Sequence, residues 1–236
     1  MNDRDRWAGL LAETAAERDS QPRRISELCV QMLGVTGAGI SMVTKAGNHG
    51  VICATDDVSA RIEDLQLTLG EGPCIDAVGG GAPVLVSDLQ DAGDIVTERW
   101  PAFTEGAGEA GVRAVFAFPL RIGAISVGAM DLYRDEPGDL AAAELPAALM
   151  AADAAAHALL HLDNLPDGAS SHAADFRTAY HPQVHQATGM VQVQLGVTTD
   201  AAFVLLRARA FATDRTLVEL ASDVVTRRVR FSTEDS

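Results

Sequence analysis

Two apolar runs separated by only three residues place the strongest constraint on the fold. The runs VRAVFAFPL (112–120) and AISVGAMDLY (124–133) are joined at Arg121–Gly123. Both have the length and the β-branched and aromatic content of strands. Parallel strands need a crossover of a dozen or more residues, so these two runs are expected to form an antiparallel pair.

A second pair of apolar runs lies earlier in the chain. AGISMV (38–43) and GVICAT (50–55) are separated by a short stretch containing KAGNH, which predicts a hairpin. Helical patterns surround both pairs. They are an apolar face from Ile25 to Leu33, a pattern over about 57–68, a helix beginning at Pro101 and an Ala-rich helix over about 139–163.

The stretch 70–89, GEGPCIDAVGGGAPVLVSDL, carries glycines and Pro73, which predict turns, followed by a short strand at PVLV. Residues 1–163 therefore indicate an α+β domain in which helices cover antiparallel strands. The following NLPDGASSHAA is rich in Pro, Gly and Ser, as linkers are, and we place a linker at 164–175.

The composition argues against several classes of protein. No apolar run approaches the roughly 20 residues that cross a bilayer, and the N-terminus lacks the layout of a secretory signal, so we expect a cytoplasmic protein without a membrane partner. The three cysteines are isolated from one another and from histidines at ligand spacing, which argues against disulfides and structural zinc. We also predict no cofactor and no enzyme activity, because the scattered histidines form no catalytic or metal-binding motif.

Charge is distributed unevenly along the chain. The net charge is −15, yet residues 175–231 hold seven arginines against five acidic residues, and residues 232–236 form an acidic tail. Arginine offers a flat, forked set of donors that suits phosphates and base stacking. The acidic body with a locally basic end is thus compatible with nucleic-acid binding through that end.

Local chemistry predicts three helices after the linker. The first begins near Pro182 and ends at Gly196, which suits a left-handed cap. The second runs from about Thr198 to Ala212, and the third begins with the capping box Thr216-x-x-Glu219 and continues to Phe231. Gly189 is unusual inside the first helix, since glycine costs about 1 kcal/mol there relative to alanine, and suggests a close approach to the backbone.

Two resemblances follow from these motifs. GEGPC, GAPVLVSDL and the late strand pair make about residues 20–162 resemble a GAF domain of the actinobacterial type, a sensor built on an antiparallel sheet. About residues 176–231 resemble an ANTAR domain through five segments. They are Gln186–Met190, Ala201–Phe203, Leu206–Arg207, Ala210–Ala212 and Leu220–Val225.

The ANTAR resemblance implies a function. ANTAR domains are three-helix RNA-binding modules of transcription antiterminators, so the resemblance implies a sensor-regulated homodimer that binds paired RNA stem-loops and prevents a terminator hairpin from forming. Thr188 stands where many ANTAR sequences carry lysine, so this chain lacks that charge. We predict seven residues as RNA contacts, namely Gln186, Thr188, Gly189, Gln192, Arg207, Arg227 and Arg230.

Purely structural roles could also explain the residues predicted as RNA contacts. Ala187 and Gly189 can serve helix packing or a dimer contact, Arg207 can extend past a core that Phe203 and Phe211 fill, and arginines near a helix C-terminus favour the helix dipole. Two other functions also remain open. One is a DNA-binding helix-turn-helix regulator. Against it, recognition helices generally read bases from their N-terminal residues, whereas the arginines of the third predicted helix lie at its C-terminal end. The other is a signalling adaptor that dimerises through the C-terminal helices.

The GAF resemblance implies a small-molecule ligand, whose identity the sequence leaves open. Apolar and thiol side chains could line its pocket, and core packing would explain the same residues. A buried structural role is the simplest interpretation of the cysteine among them, because no cation nearby in sequence would lower its pKa. The candidates are Met42, Cys74, Trp100, Phe103, Phe116 and Phe118.

Overall fold

The computed structural model describes Trp7, Gly9 and residues 21–43, 49–91, 98–163 and 182–232. The predicted linker at 164–175 and nearly all of the acidic tail lie outside these residues. The described part of the chain forms an α+β domain followed by three further helices, as the sequence predicts.

One five-stranded antiparallel sheet forms the centre of the first domain. Its strands are β1 Gly37–Val43, β2 His49–Ala54, β3 Val84–Val86, β4 Ala114–Ile122 and β5 Ile125–Arg134. Their order in the sheet is β2-β1-β5-β4-β3. The late strand pair is confirmed: β4 and β5 pair from Ala114 with Arg134 to Ile122 with Ile125, around a tight turn. The early hairpin is confirmed as well.

Helices cover both faces of this sheet. They are α1 Gln21–Met32, α2 Asp57–Leu69, α3 Pro73–Gly80, α4 Pro101–Glu109 and α5 Leu145–Asp163. Along β4, Phe116 and Phe118 face the core formed with α1 and α5, whereas Val115 and Ala117 face α2, α3 and α4, as the two-residue period of a strand requires.

Two of these helices differ from the sequence prediction. The Ala-rich helix was expected from about residue 139 but begins at Leu145, because Pro146 cannot lie inside a helix and is tolerated only in its first turn. The stretch expected to form only turns contains α3. Pro73 occupies its first turn, and Gly81, with φ 67°, ends it in the left-handed conformation.

The C-terminal helices form a bundle with its own core. They are α6 Pro182–Leu195, α7 Thr199–Ala212 and α8 Leu217–Val225. Gly196 follows α6 with φ 67°, and the predicted capping box joins Thr216 and Glu219 at the start of α8. The bundle core is formed by small and branched side chains, among them Val184, Ala187, Val191, Ala202, Leu206, Leu220 and Val224.

Candidate nucleic-acid interface

Helix α8 is shorter than predicted, and the chain reversal at its end shapes the candidate interface. It was expected to reach Phe231 but ends at Val225. Arg227 has φ 62°, a left-handed conformation that few residues other than glycine adopt. The Arg227 and Arg228 amides donate to the carbonyls of Val224 and Asp223 at 3.0 and 2.8 Å, which is the Schellman arrangement that terminates a helix.

The residues after this reversal pack back against α6 and α7. Phe231 is buried in the bundle core, and its amide donates to Gln194 Oε1 at 2.8 Å. The Arg209 guanidinium lies 4.8 Å from the centre of the Phe231 ring and donates to the Arg230 carbonyl at 3.3 Å. These contacts fix residues 227–231 beside α6.

A groove of about 630 Å³ lies between α6 and this returning segment. Its α6 side is one helical face, since its residues recur at three- and four-residue intervals. The groove combines apolar surface with amide and guanidinium groups. Its lining residues are Gln186, Gly189, Met190, Val193, Gln194, Arg227, Val229 and Arg230.

The charges around the groove are unbalanced. Asp223 is bound by two arginines, with Arg215 at 2.7 Å and Arg228 at 3.0 Å. Arg227 and Arg230 are exposed, and within the described ranges neither side chain forms an ion pair. The groove therefore carries two cationic groups that an anionic ligand could neutralise.

Gly189 faces open space. A Cβ atom added at this position would meet no heavy atom within 4 Å. Packing within the described part of the chain therefore does not require glycine at this helical position. The site is free for the close approach of another molecule, either a nucleic acid or a second copy of the chain.

The structure brings four of the seven predicted RNA contacts together in the groove: Gln186, Gly189, Arg227 and Arg230. The other three lie elsewhere. Thr188 is buried, and its hydroxyl donates to the Val184 carbonyl at 2.7 Å. Gln192 lies off the groove and accepts a hydrogen bond from Thr199 at 3.1 Å. Arg207 contacts α2 of the first domain, where its Nε donates to the Thr68 carbonyl at 3.0 Å.

Sequence reasoning missed the apolar part of the groove. Met190 and Val193 share the helical face of Gln186 and Gly189, and Val193 is 83% exposed. That exposure is unusual for a branched apolar side chain beside a core stripe. The three- and four-residue spacing from Gln186 was the available signal for these two residues.

The six predicted pocket residues do not share one cavity. Phe116 and Phe118 are buried in the core with α1 and α5, and Met42 packs against that core. Trp100 and Phe103 are buried on the opposite side of the sheet, with their rings in an edge-to-face contact at 6.5 Å. Cys74 belongs to a third cluster under α3. Burial and the nearby Asp131 raise the pKa of the Cys74 thiol well above its usual value, so the protonated, structural form is favoured.

Polar residues that the sequence did not single out lie buried between α2 and the sheet. Glu63 of α2 and Asp131 of β5 are 2% and 3% exposed, and neither pairs with a cation among the described residues. The Gln66 amide nitrogen donates to Asp131 Oδ2, and its oxygen accepts from the Cys74 amide at 2.8 Å. Burial and the negative charge of Asp131 raise the pKa of Glu63, and burial raises that of Asp131 to about 7.

Comparison with protein families identifies both domains. The GAF domain model matches residues 23–160, which is more than half of the chain. The chain belongs to the GAF family. The ANTAR domain model matches residues 177–225, which contain α6, α7 and α8. The resemblances to the GAF and ANTAR families inferred from the sequence are therefore confirmed, whereas the actinobacterial type of the GAF domain stays a prediction.

Solved structures support the GAF fold at low sequence identity. The GAF domain of an Acinetobacter phosphoenolpyruvate-protein phosphotransferase is 10% identical, with a TM-score of 0.55, and the match covers 71% of this chain and 99% of that one. The corresponding domain from Coxiella burnetii is 12% identical, with a TM-score of 0.51 and coverages of 69% and 97%. Identities this low carry the fold alone. No curated protein matches the chain significantly.

The two domains are regulatory types: GAF domains are sensors and ANTAR domains bind RNA. The GAF–ANTAR chain is thus a sensor-linked regulator. Within the described ranges, no single helix has the length and apolar composition to cross a membrane. Helices α6 and α7 meet these two criteria only when they are taken together, and the pair is bent by 106°.

Proposed function

We propose that this GAF–ANTAR protein is a sensor-regulated transcription antiterminator. It binds paired stem-loops in nascent RNA as a homodimer, and this binding prevents the formation of a terminator hairpin. The GAF domain regulates RNA binding by the ANTAR domain in response to a signal, such as the binding of a small-molecule ligand.

The groove beside α6 is the observation that carries this proposal. It places Arg227 and Arg230, which lack acidic partners among the described residues, in one groove with the apolar side chains of Met190 and Val193. RNA loops offer phosphates together with unstacked bases, and they are recognised by cations, amides and apolar contacts acting together. A regular DNA duplex keeps its bases stacked and offers less for the apolar surface to contact.

Binding to RNA and DNA across a salt series tests the proposal. The full chain would be titrated with two-hairpin RNAs that carry randomised loops and with a DNA duplex of equal phosphate count. We expect tighter binding to the RNA. In the Arg227→Ala/Arg230→Ala variant, affinity should fall at least tenfold, and the salt slope should shrink by about one for each phosphate that the variant no longer neutralises.

Arg228→Ala is the matched control for charge. Arg228 is adjacent in sequence but lies outside the groove and pairs with Asp223, so its removal should have a much smaller effect on affinity. Equal or stronger binding to the DNA duplex would contradict the proposal and support a helix-turn-helix regulator. Binding to neither, with a dimer retained in sedimentation, would support the adaptor function.

A further inference from the structure

The two domains meet at the C-terminal turn of α2. Arg207 of α7 donates through Nε to the Thr68 carbonyl at 3.0 Å, and the Leu217 amide at the start of α8 donates to Thr68 Oγ1 at 3.4 Å. One residue of the GAF domain thus receives hydrogen bonds from two ANTAR helices. These contacts satisfy one of the carbonyls that a helix end leaves without an internal partner.

The apolar part of this contact is continuous with the ANTAR core. Leu67 lies in α2 but is buried in the cluster that contains Leu206, Leu217 and Leu220. Full burial of a leucine side chain contributes about 1.5–3 kcal/mol. The ANTAR bundle therefore uses a side chain of the sensor domain to complete its packing.

Gly70 permits a close approach of Arg207 to the end of α2. It caps α2 with φ 66°, and a Cβ atom at this position would overlap the Arg207 guanidinium. Two independent requirements, the left-handed backbone and the position of Arg207, therefore favour glycine here.

The contact between the two domains contains both attractive and repulsive pairs of charged groups. Glu71 attracts the partly buried Arg207, and its Oε1 also accepts from the Ala102 and Phe103 amides at 2.8 and 2.9 Å. Asp64 of α2, in contrast, faces Glu219 of α8, and burial together with this like charge raises the pKa of Asp64 to about 6. The contact between the domains therefore combines an attractive charge pair with a repulsive one.

We propose that the C-terminal turn of α2, residues 67–71, is a docking surface for the ANTAR domain that withholds Arg207 from RNA. In the docked state the Arg207 guanidinium is engaged by the GAF domain, so the ANTAR domain binds RNA without it. A signal that moves the end of α2 releases Arg207 as an additional phosphate contact. The docking half stands on contacts alone, and the RNA half rests on the proposed function.

Gly70→Ala in the full chain tests the docking half without RNA. The added methyl group displaces the Arg207 guanidinium, so we expect faster hydrogen exchange in residues 203–220 and a larger radius of gyration in solution scattering. Gly111→Ala is the matched control, because Gly111 has φ 82° in the same domain with no heavy atom within 4 Å of an added Cβ. It imposes the same backbone strain without touching Arg207.

Each outcome separates docking from RNA binding. Equal exchange in the two glycine variants overturns the role of Arg207 in holding the ANTAR domain on α2, and Arg207→Ala gives the same test from the ANTAR side if Gly70→Ala fails to fold. The RNA half predicts that the salt slope for two-hairpin RNA rises by about one in Gly70→Ala and returns in Gly70→Ala/Arg207→Ala. Faster exchange with an unchanged slope overturns the withholding of Arg207 and leaves the docking surface standing.

Discussion

In the GAF domain two carboxyl groups lie buried side by side, whereas in the ANTAR domain two guanidinium groups stand exposed beside a groove. Glu63 and Asp131 have no cationic partner, and Arg227 and Arg230 have no acidic one, among the described residues. A buried charge without a partner is costly, so the carboxyls hold protons more tightly. An exposed charge costs little and remains available to a ligand. Lack of a partner therefore predicts pH dependence in one domain and anion binding in the other.

The largest expected effect is on the pH dependence of GAF stability. Both pKa values are raised in the folded state, so the contribution of the two carboxyls to stability is fullest below about pH 4 and declines as pH rises towards 7, where Asp131 ionises. From pH 5 to pH 8 we expect Asp131 alone to lower the free energy of unfolding by on the order of 2 kcal/mol, and Glu63 to lower it further. Urea unfolding followed by tryptophan fluorescence measures this, since Trp7 and Trp100 are the chain's two tryptophans and both pack in GAF cores.

Asp131→Asn separates this pair from the other titrating groups. The amide keeps the shape of the side chain but cannot ionise, so the decline should be shallower than in the wild type by the share of Asp131, while burial still raises the pKa of Glu63. Asp153→Asn is the control, because the Asp153 side chain is 75% exposed. A decline of equal steepness in all three proteins would show that the buried pair does not control the pH dependence.

A smaller and opposite pair of effects is expected at the end of α8. Arg227→Gly removes the left-handed strain at φ 62° and should raise the free energy of unfolding by about 1 kcal/mol. It also removes a groove cation, so RNA affinity should fall while stability rises. Thermal unfolding by circular dichroism and RNA titration measure the two effects separately.

Asp214→Gly is the matched control for this backbone change. Asp214 ends α7 with φ 49° in the same Schellman arrangement but lies outside the groove. It should gain stability in the same way while its RNA affinity stays unchanged. A fall in affinity in both variants would attribute the effect to the helix ends and not to the Arg227 charge.

Much of the fold was predictable because its signals are local. Strand pairs with short connections, the proline at the start of α6, the glycine after it and the capping box of α8 each fix a backbone conformation through neighbouring residues. The end of α8 was not predictable in this way. Nothing in VTRRVRF marks Arg227 as left-handed, since its conformation depends on the burial of Phe231 against α6.

Four residues of the groove were predicted from the sequence, but only the two on one helix could be predicted to lie together. Gln186 and Gly189 share a face of α6, and the structure adds Arg227 and Arg230 to it through the chain reversal. The contact between Arg207 and α2 was missed because a pattern within α7 cannot reveal which helix of another domain lies against it. The buried carboxyl pair was missed for the same reason, as Glu63 and Asp131 are far apart in sequence and meet only where α2 packs on the sheet.

Gly189→Ala gives the smallest and most diagnostic effect. Alanine is the better helix former and has open space here, so we expect up to about 1 kcal/mol of added stability. If the groove admits RNA closely at this point, the methyl group should weaken RNA binding despite the more stable helix. Gly108→Ala, in α4, is the control with the same open surroundings. If Gly189→Ala binds RNA as tightly as Gly108→Ala and the wild type, close approach at Gly189 is wrong, and recognition would depend on the arginines and the apolar surface alone.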